Sequence, residues 1–465
     1  MQSHWIKPLL LSTAVIVGSS FSPGTASAET LTDALIKAYQ TSPLLNSSQA
    51  ALRALDENVP QARANRRPQV EAFVRGDTGT TAEAYNERID NATAALDATL
   101  LLYDSGQTEA AIESARNTIA AGRADLKDVE QLVLFNAVQA YVDVRRDEEF
   151  VRLASNDVER LDETLRATRN RFEVGEVTRT DVSQSEARLA NSRSILAAAE
   201  GELQISREAY RAAVGTPPRD LERLPPLPEI PNSVEAATSV GLQRSPRIVS
   251  AQFSERAAVY DFDRALAAKG PTLSAGAQVG VRRGTTQFGD YDGDSYGELS
   301  VFGGMPLYTG GRNDSLVRQA QAVLNQRRFE VQDTARQVTQ NVAAAWAQLE
   351  VARVTIVARR EQAEASRIAA EGVAEEARLG ARSTLDVLNA DQERLQAEAE
   401  IVRSMRDEYV AVYGLLQAMG LLTVEHLGLG IETYDPDVNF SRVQSAPIGG
   451  YDTSVVDRIR SRWER

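Results

Sequence analysis

Three features of the sequence predict a mainly α-helical chain that also carries β-strands, suited to a soluble sheet or to a membrane β-barrel. The composition favours helix, a unit of about 200 residues is written twice, and short stretches alternate with a period of two. Ala, Arg, Glu, Gln, Leu and Val dominate the 465 residues and aromatics make up only 6%, which suits long helices better than one large compact core. The 65 acidic against 51 basic residues give a net charge of −14, so no nucleic-acid partner is expected. The absence of Cys excludes disulfides, thiolate metal centres, Cys nucleophiles and lipid attachment through Cys. With His4 and His426 the only imidazoles, multi-His metal sites and His-based catalysis are not expected either. No catalytic constellation emerges, and the loop GDYDGD at 289–294 lacks the closing Glu of a calcium loop. The chain is therefore predicted to be no enzyme and to need no metal or other cofactor.

The first 28 residues read as a secretory signal peptide. Lys7 precedes an apolar stretch over 8–21, and Ala26-Ser27-Ala28 offers small residues for cleavage. That stretch is short of the roughly 20 residues a membrane-spanning helix needs. The duplication follows. Ser42-Pro43 recurs as Ser245-Pro246 and Pro68 as Pro271, 203 residues on. Tyr103, Gly106, Gly175, Asp181 and Gly215 recur 205 residues on as Tyr308, Gly311, Gly380, Asp386 and Gly420. We read a first repeat over 29–215, a joint at 216–232 whose six prolines interrupt helix, a second repeat over 233–420, and a C-terminal tail over 421–465. Each repeat begins with a helix interrupted at Ser-Pro, over 30–66 and 233–269. Two strand-like segments come next. A very long helix follows, over 108–172 and 313–378, and a Gly-containing turn leads into a last helix over 180–214 and 385–419.

The long helices carry heptads. Ile112, Ile119, Leu126, Val133 and Ala140 step by seven, slip by four to Val144, and continue through Val151, Val158, Leu165 and Phe172. The second repeat does the same from Val317 through Leu324, Val331, Val338 and Ala345, then from Leu349 through Ile356, Ala363, Ala370 and Ala377. Sustained sevens predict coiled-coil packing, and an inserted four is a stutter that locally unwinds it.

In the strand segments, Leu273, Ala275, Ala277, Val279 and Val281 alternate with Thr, Ser, Gly and Gln. Ala92 to Leu102, Leu299 to Leu307 and, more weakly, Val70 to Val74 show the same period. A soluble sheet with one wet face and a transmembrane sheet both produce this pattern. Residues 81–90 and 282–295 are polar and read as hairpin loops at an aqueous end. Four strands cannot close a barrel and an open edge is not tolerated in lipid, so a membrane location requires several chains to share one barrel.

The segments LLYDSG (101–106) and PLYTGGR (306–312) each lead from a strand into a long helix, and RFEVGEVTRTDV (171–182) and ARLGARSTLDVLNA (377–390) each turn one helix into the next. With the signal peptide and the duplicated strand–strand–long-helix unit, they resemble the TolC family of outer-membrane channel proteins over essentially the whole mature chain. The resemblance implies a homotrimer in which each chain gives four strands to a twelve-stranded barrel in outer-membrane lipid. Four helical elements per chain would form a long periplasmic coiled-coil tunnel, and the tail over 421–465 would be periplasmic too. It implies an exit duct coupled by a periplasmic adaptor protein to an inner-membrane pump. The tail motifs GLGIETYDPDVNF (428–440) and RIRSRWER (458–465) resemble members serving type I protein secretion, with an ABC transporter as pump. Efflux of drugs or metals is the alternative, and a secreted coiled-coil scaffold a distant one.

The resemblance also implies site residues. Asp181 and Arg382 occupy positions whose cross-helix ion pair helps close the periplasmic tip. Asp386 and Asn389, three apart on one helix face, occupy positions that project into the narrowest bore. Family members often have two acids there, so Asn389 leaves one ring of three carboxylates instead of two. Ala377 departs as well, where an aromatic often ties the tip. Gly175, Glu176, Val177, Gly380 and Ala381 at the turns are candidate adaptor-docking residues. From the residues alone, Asp181 and Arg382 read rather as a solvated pair contributing about 0–1 kcal/mol, and the glycines as simple helix reversals.

Overall fold

A computed structural model of the chain describes residues 28–80, 88–286, 289–444 and 454–463. The predicted signal peptide, up to residue 27, lies outside them, as do the proposed loop residues 81–87. The first repeat runs α1 (Leu31–Thr41), α2 (Pro43–Asp56), α3 (Asn58–Ala64), β1 (Gln69–Thr80), β2 (Arg88–Tyr103), α4 (Gln107–Glu173) and α5 (Arg179–Val214). The second runs α6 (Val234–Arg244), α7 (Pro246–Ala267), β3 (Thr272–Thr286), β4 (Gly289–Gly304), α8 (Arg312–Arg378) and α9 (Thr384–Ala418). The tail adds α10 (Pro436–Gln444) and α11 (Ser454–Trp463).

The duplication extends to backbone angles. Ser42 and Ser245 both have φ −59°, with ψ 117° and 120°, and each ends one helix while Pro43 or Pro246 starts the next. A Pro at the first helical position loses nothing, because that N–H has no intrahelical partner. The first repeat has one further break at Glu57. Pro60 follows it by three residues and can neither donate to residue 56 nor pass its carbonyl without a clash. The second repeat has no Pro at the matching place and runs α7 unbroken.

Helices α4 and α8 have 67 residues each, about 100 Å at 1.5 Å per residue. Their seams follow the heptads through the stutter. Ile112, Ile119, Val133, Ala140, Val144 and Leu165 are buried on α4, and Leu324, Val338, Leu349, Ile356, Ala363 and Ala370 on α8. Phe172, the last seam position of α4, is exposed because the helix ends one residue later. The four long helices lie as α5–α4–α9–α8, so α5 and α8 form the flanks. Among the described residues, no helix is long and apolar enough to cross a membrane.

The main core lies where the repeats meet. Tyr141 of α4 is fully buried, and its phenol is 3.0 Å from the carbonyl of Glu29 and 2.9 Å from that of Glu222. Glu29 exchanges backbone hydrogen bonds with Asp220 and Glu222, and its carboxylate takes Lys37 Nζ at 2.6 Å. The proline-rich joint is thus held between the start of the first repeat and the middle of its long helix.

The four strands form one antiparallel sheet in the order β1-β2-β3-β4. Val70, Ala98, Ala277 and Leu299 stand directly opposite one another, as do Ala72, Leu96, Val279 and Gly297. Opposed residues share a face, so the apolar alternation of all four strands builds one apolar face. It is open to the surroundings, with Val74 85% and Leu299 88% exposed. Glu71, Asp97, Gln278 and Glu298 form a row on the other face. The strands are longer than expected towards the hairpin ends, but β4 stops at Gly304, so Met305 and Leu307 of the expected stripe lie beyond it, in the turn into α8. The segment over 282–295 is not a loop: β3 continues to Thr286 and β4 begins at Gly289, so polar residues pair beyond the apolar band.

Gly420 ends the second repeat at φ +79°, and an added Cβ would stand 2.8 Å from the Arg244 carbonyl oxygen and 2.9 Å from Ser245 Cα. Gly175 has the same φ, with open space around it. Gly420→Ala should lower the melting temperature clearly more than Gly175→Ala, which carries only the roughly 1 kcal/mol strain of a left-handed residue. Equal shifts would show that the contact with the α6–α7 junction is unimportant.

Candidate functional site: the paired helix turns

The two helix reversals are built alike. At the end of α4, Gly175 takes φ +79°, its N–H donates to the Phe172 carbonyl at 3.0 Å, and the Glu176 N–H reaches back to the Arg171 carbonyl at 2.9 Å. At the end of α8, Gly380 has the same φ, with bonds to Ala377 at 3.1 Å and from Ala381 to Glu376 at 2.9 Å. These bonds satisfy carbonyls that a helix end otherwise leaves open. Gly175, Glu176, Gly380 and Ala381 are exposed and Val177 is half-buried.

Next residues in each turn start the following helix. Thr178 caps α5 and Ser383 caps α9, and both close a capping box with the acid three residues on. Asp181 Oδ2 accepts from Thr178 N at 2.8 Å and from its hydroxyl at 2.7 Å. Asp386 Oδ2 accepts from Ser383 N at 3.0 Å and from its hydroxyl at 2.8 Å. These bonds, to Thr178 and to Ser383, hold both carboxyls below the usual carboxylate range. Each acid thereby orders the first turn of its helix, where the backbone dipole favours negative charge. The signal was in the sequence, as Thr-x-x-Asp and Ser-x-x-Asp ahead of an apolar run.

Asp181 and Arg382 are therefore not paired with each other within one chain. Arg382 Nε donates instead to Glu376 Oε2 at 2.8 Å, just as Arg171 Nε donates to Glu176 at 3.1 Å in the other turn. The reason is local: each Asp folds back on its own cap, and each Arg reaches the nearest Glu of its own turn. Among the described hydrogen bonds, Oδ1 of both Asp181 and Asp386 stays free.

Asn389 is exposed but engaged. Arg188 of α5 donates from Nη2 to Asn389 Oδ1 at 2.9 Å and from Nη1 to Gln392. Slightly higher, Ser192 of α5 donates to Asp157 of α4 at 2.7 Å, and Arg160 of α4 joins both Asp157 and Asp391 of α9. Leu161, Leu165, Leu189 and Leu388 pack between these polar groups. Together they tie α9 of the second repeat to α4 and α5 of the first. Sequence reading missed this knot because Arg188 and Asn389 are about 200 residues apart and no periodicity links them.

The caps should be measurable in hydrogen exchange. Thr178→Ala and Ser383→Ala should each speed exchange in the first turn of α5 or α9 roughly five-fold, the effect of losing one cap. Because the native pKa values of Asp181 and Asp386 are depressed, this protection is complete above the unfolded value of 3.8 and is lost as pH falls through the lower native one. Unchanged exchange on acidification would mean that the carboxylates do not order these turns.

Comparison with known proteins supports the architecture as a whole. The family described as outer membrane efflux protein matches residues 34–216 and again 238–421. The outer membrane efflux protein BepC of Brucella suis is 34% identical over 446 residues, covering 95% of this chain and 96% of that protein. The alkaline protease secretion protein AprF of Pseudomonas aeruginosa is 27% identical over 312 residues, 64% of this chain and 63% of its own length. In fold, the Campylobacter jejuni CmeC outer membrane channel superposes with a TM-score of 0.73 at 16% identity, covering 94% of this chain and 98% of that one. With both repeats matched and a relative this similar along nearly its full length, the chain belongs to the outer membrane efflux protein family, a transport channel of the outer membrane and not an enzyme.

Proposed function

We propose that the protein is the exit duct of an envelope-spanning export system and works as a homotrimer. The observation that carries this reading is a four-stranded sheet with an exposed apolar face and an unpaired edge at both β1 and β4. In hydrocarbon those edges must be paired, and three copies joined β4 to β1 make a closed barrel of twelve strands. The helices support the same closure. The flanking helix α8 exposes Val323, Phe329, Val351, Val354 and Ile368, and the opposite flank α5 exposes Ile195 and Ile205. Meeting between neighbouring protomers would cover both.

At the tip, the free carboxylate oxygen of Asp181 is available to Arg382 across the closed assembly, where several weak contacts bias a two-state element. Asp386 supplies a ring of three carboxylates at the constriction. A periplasmic adaptor docks at the turns, on Gly175, Glu176, Val177, Gly380 and Ala381. For cargo, the tail motifs and the similarity to AprF support protein secretion with an ABC transporter. Similarity to BepC, over nearly the whole of both chains, favours a second reading, small-molecule efflux. Deleting the gene separates them: a lost secreted protein with unchanged drug sensitivity supports the first, and the reverse supports the second.

Purified protein should migrate as a trimer that resists dissociation in detergent. A stable monomer inserted in bilayers would overturn the shared barrel.

In planar bilayers, Asp181→Ala and Arg382→Ala should each raise open probability. The Arg188 contact sets a further expectation. Asn389→Asp alone should change divalent-cation block little, because Arg188 neutralises the new carboxylate. Asn389→Asp with Arg188→Gln should tighten block about ten-fold or more, whereas Asp386→Asn should nearly abolish it. Equal block in all four proteins would remove this helix face from the bore.

A further inference from the structure

Helix α11 carries Val456, Ile459 and Trp463 at spacings of three and four, so all three share one face. All three are exposed, Trp463 at 83%. Residues 454–465 contain four Arg against one Asp and one Glu, a net charge of +2 in a chain of −14. A basic helix with an apolar stripe ending in Trp is the pattern of segments that lie in a membrane interface.

Its tether places it at the right height. The preceding helix α10 is fixed to the body: Asp437 pairs with Arg123 at 2.8 Å and Asn439 donates to the buried Asp56 at 2.7 Å. At its end, the Gln444 carbonyl accepts from Arg63 Nη1 at 3.4 Å. Arg63 lies in the last turn of α3, only six residues before β1 begins at Gln69. It lines a cleft with Arg67 and with Ile112, which is five residues into α4, so Gln444 stands roughly 10 Å below the end of the strands. The nine residues 445–453 can span up to about 30 Å, enough for α11 to reach the level where the apolar face begins at Val70.

Charge selects the surface. Near Gln444, Arg66 pairs with Glu109 and faces Asp104, and Arg116 pairs with Glu113, so Arg63, Arg66, Arg67 and Arg116 against these three carboxylates leave the rim net positive. That rim repels a basic helix, while one anionic surface at the same height would attract both. We propose that α11 is an interfacial anchor that lies on anionic phospholipid at the periplasmic rim of the barrel. This goes beyond the duct reading and rests only on the sheet sitting in the membrane.

The test uses the full chain in nanodiscs, with insertion of the barrel checked first by its channel activity. Trp346→Phe leaves Trp463 as the only tryptophan after the signal peptide. Phosphatidylcholine discs with and without phosphatidylglycerol, both with brominated acyl chains, are then compared. The expected result is a blue-shifted Trp463 emission, quenched about two-fold or more in the anionic discs alone. High salt, or Arg458→Glu with Arg460→Glu, should reverse it. A Trp463→Phe difference spectrum in the native background gives the same readout if Trp346→Phe perturbs folding. Unquenched emission in both discs overturns the proposal, as does a blue shift without quenching, which would mean docking on protein. Equal quenching in both discs overturns the role of the anionic headgroup.

Discussion

Backbone groups in hydrocarbon must find hydrogen-bond partners, and the rest of this architecture depends on that requirement. Each repeat supplies one hairpin. The two hairpins pair through β2 and β3, which joins the halves of the chain and leaves β1 and β4 as the outer edges. The lateral register matters as much as the pairing. Because Val70, Ala98, Ala277 and Leu299 stand in one line, four modest alternations add up to one apolar face. A slip of one residue in any strand would turn Glu71, Asp97, Gln278 or Glu298 onto it.

Below the sheet, the same duplication gives two long coiled-coil pairs with a stutter at the same place. The stutter lets a seam remain buried along about 100 Å while the supercoil relaxes. The proline-rich joint is fastened to the first pair where Tyr141 meets the carbonyls of Glu29 and Glu222, and to the second where the Tyr409 phenol donates to the Pro225 carbonyl. Nearer the tip, Arg160 and Arg188 connect the halves again. The lower contacts are more polar and more exposed than the core around Tyr141.

The capping boxes engage only part of each acid. Asp181 and Asp386 each use one carboxylate oxygen to start a helix and leave the other free. The position of each acid is thereby fixed by the backbone at the start of its helix. Asn389 differs. It lies past the first turn, and its partner Arg188 comes from the other repeat.

The sequence by itself determined whatever depends on local periodicity and backbone chemistry. The duplicated order of elements, the ends of α4, α5, α8 and α9 to within a residue or two, and the heptad seams with their stutter were all legible, because Gly, Pro and apolar spacing act over a few residues. The strand alternation was legible too, although the strands proved longer than their apolar cores, since polar residues pair as readily beyond the membrane band. The break at Glu57 was missed despite Pro60, because a single interruption at Ser-Pro already accounted for the pattern. Only the tertiary structure decided which strand faces lie opposite each other, that Asp181 and Arg382 turn to their own helices within a chain, and that Arg188 reaches Asn389. Those outcomes depend on how two halves about 200 residues apart dock. Docking is set by the packing of whole helices, and no local spacing in the chain encodes it.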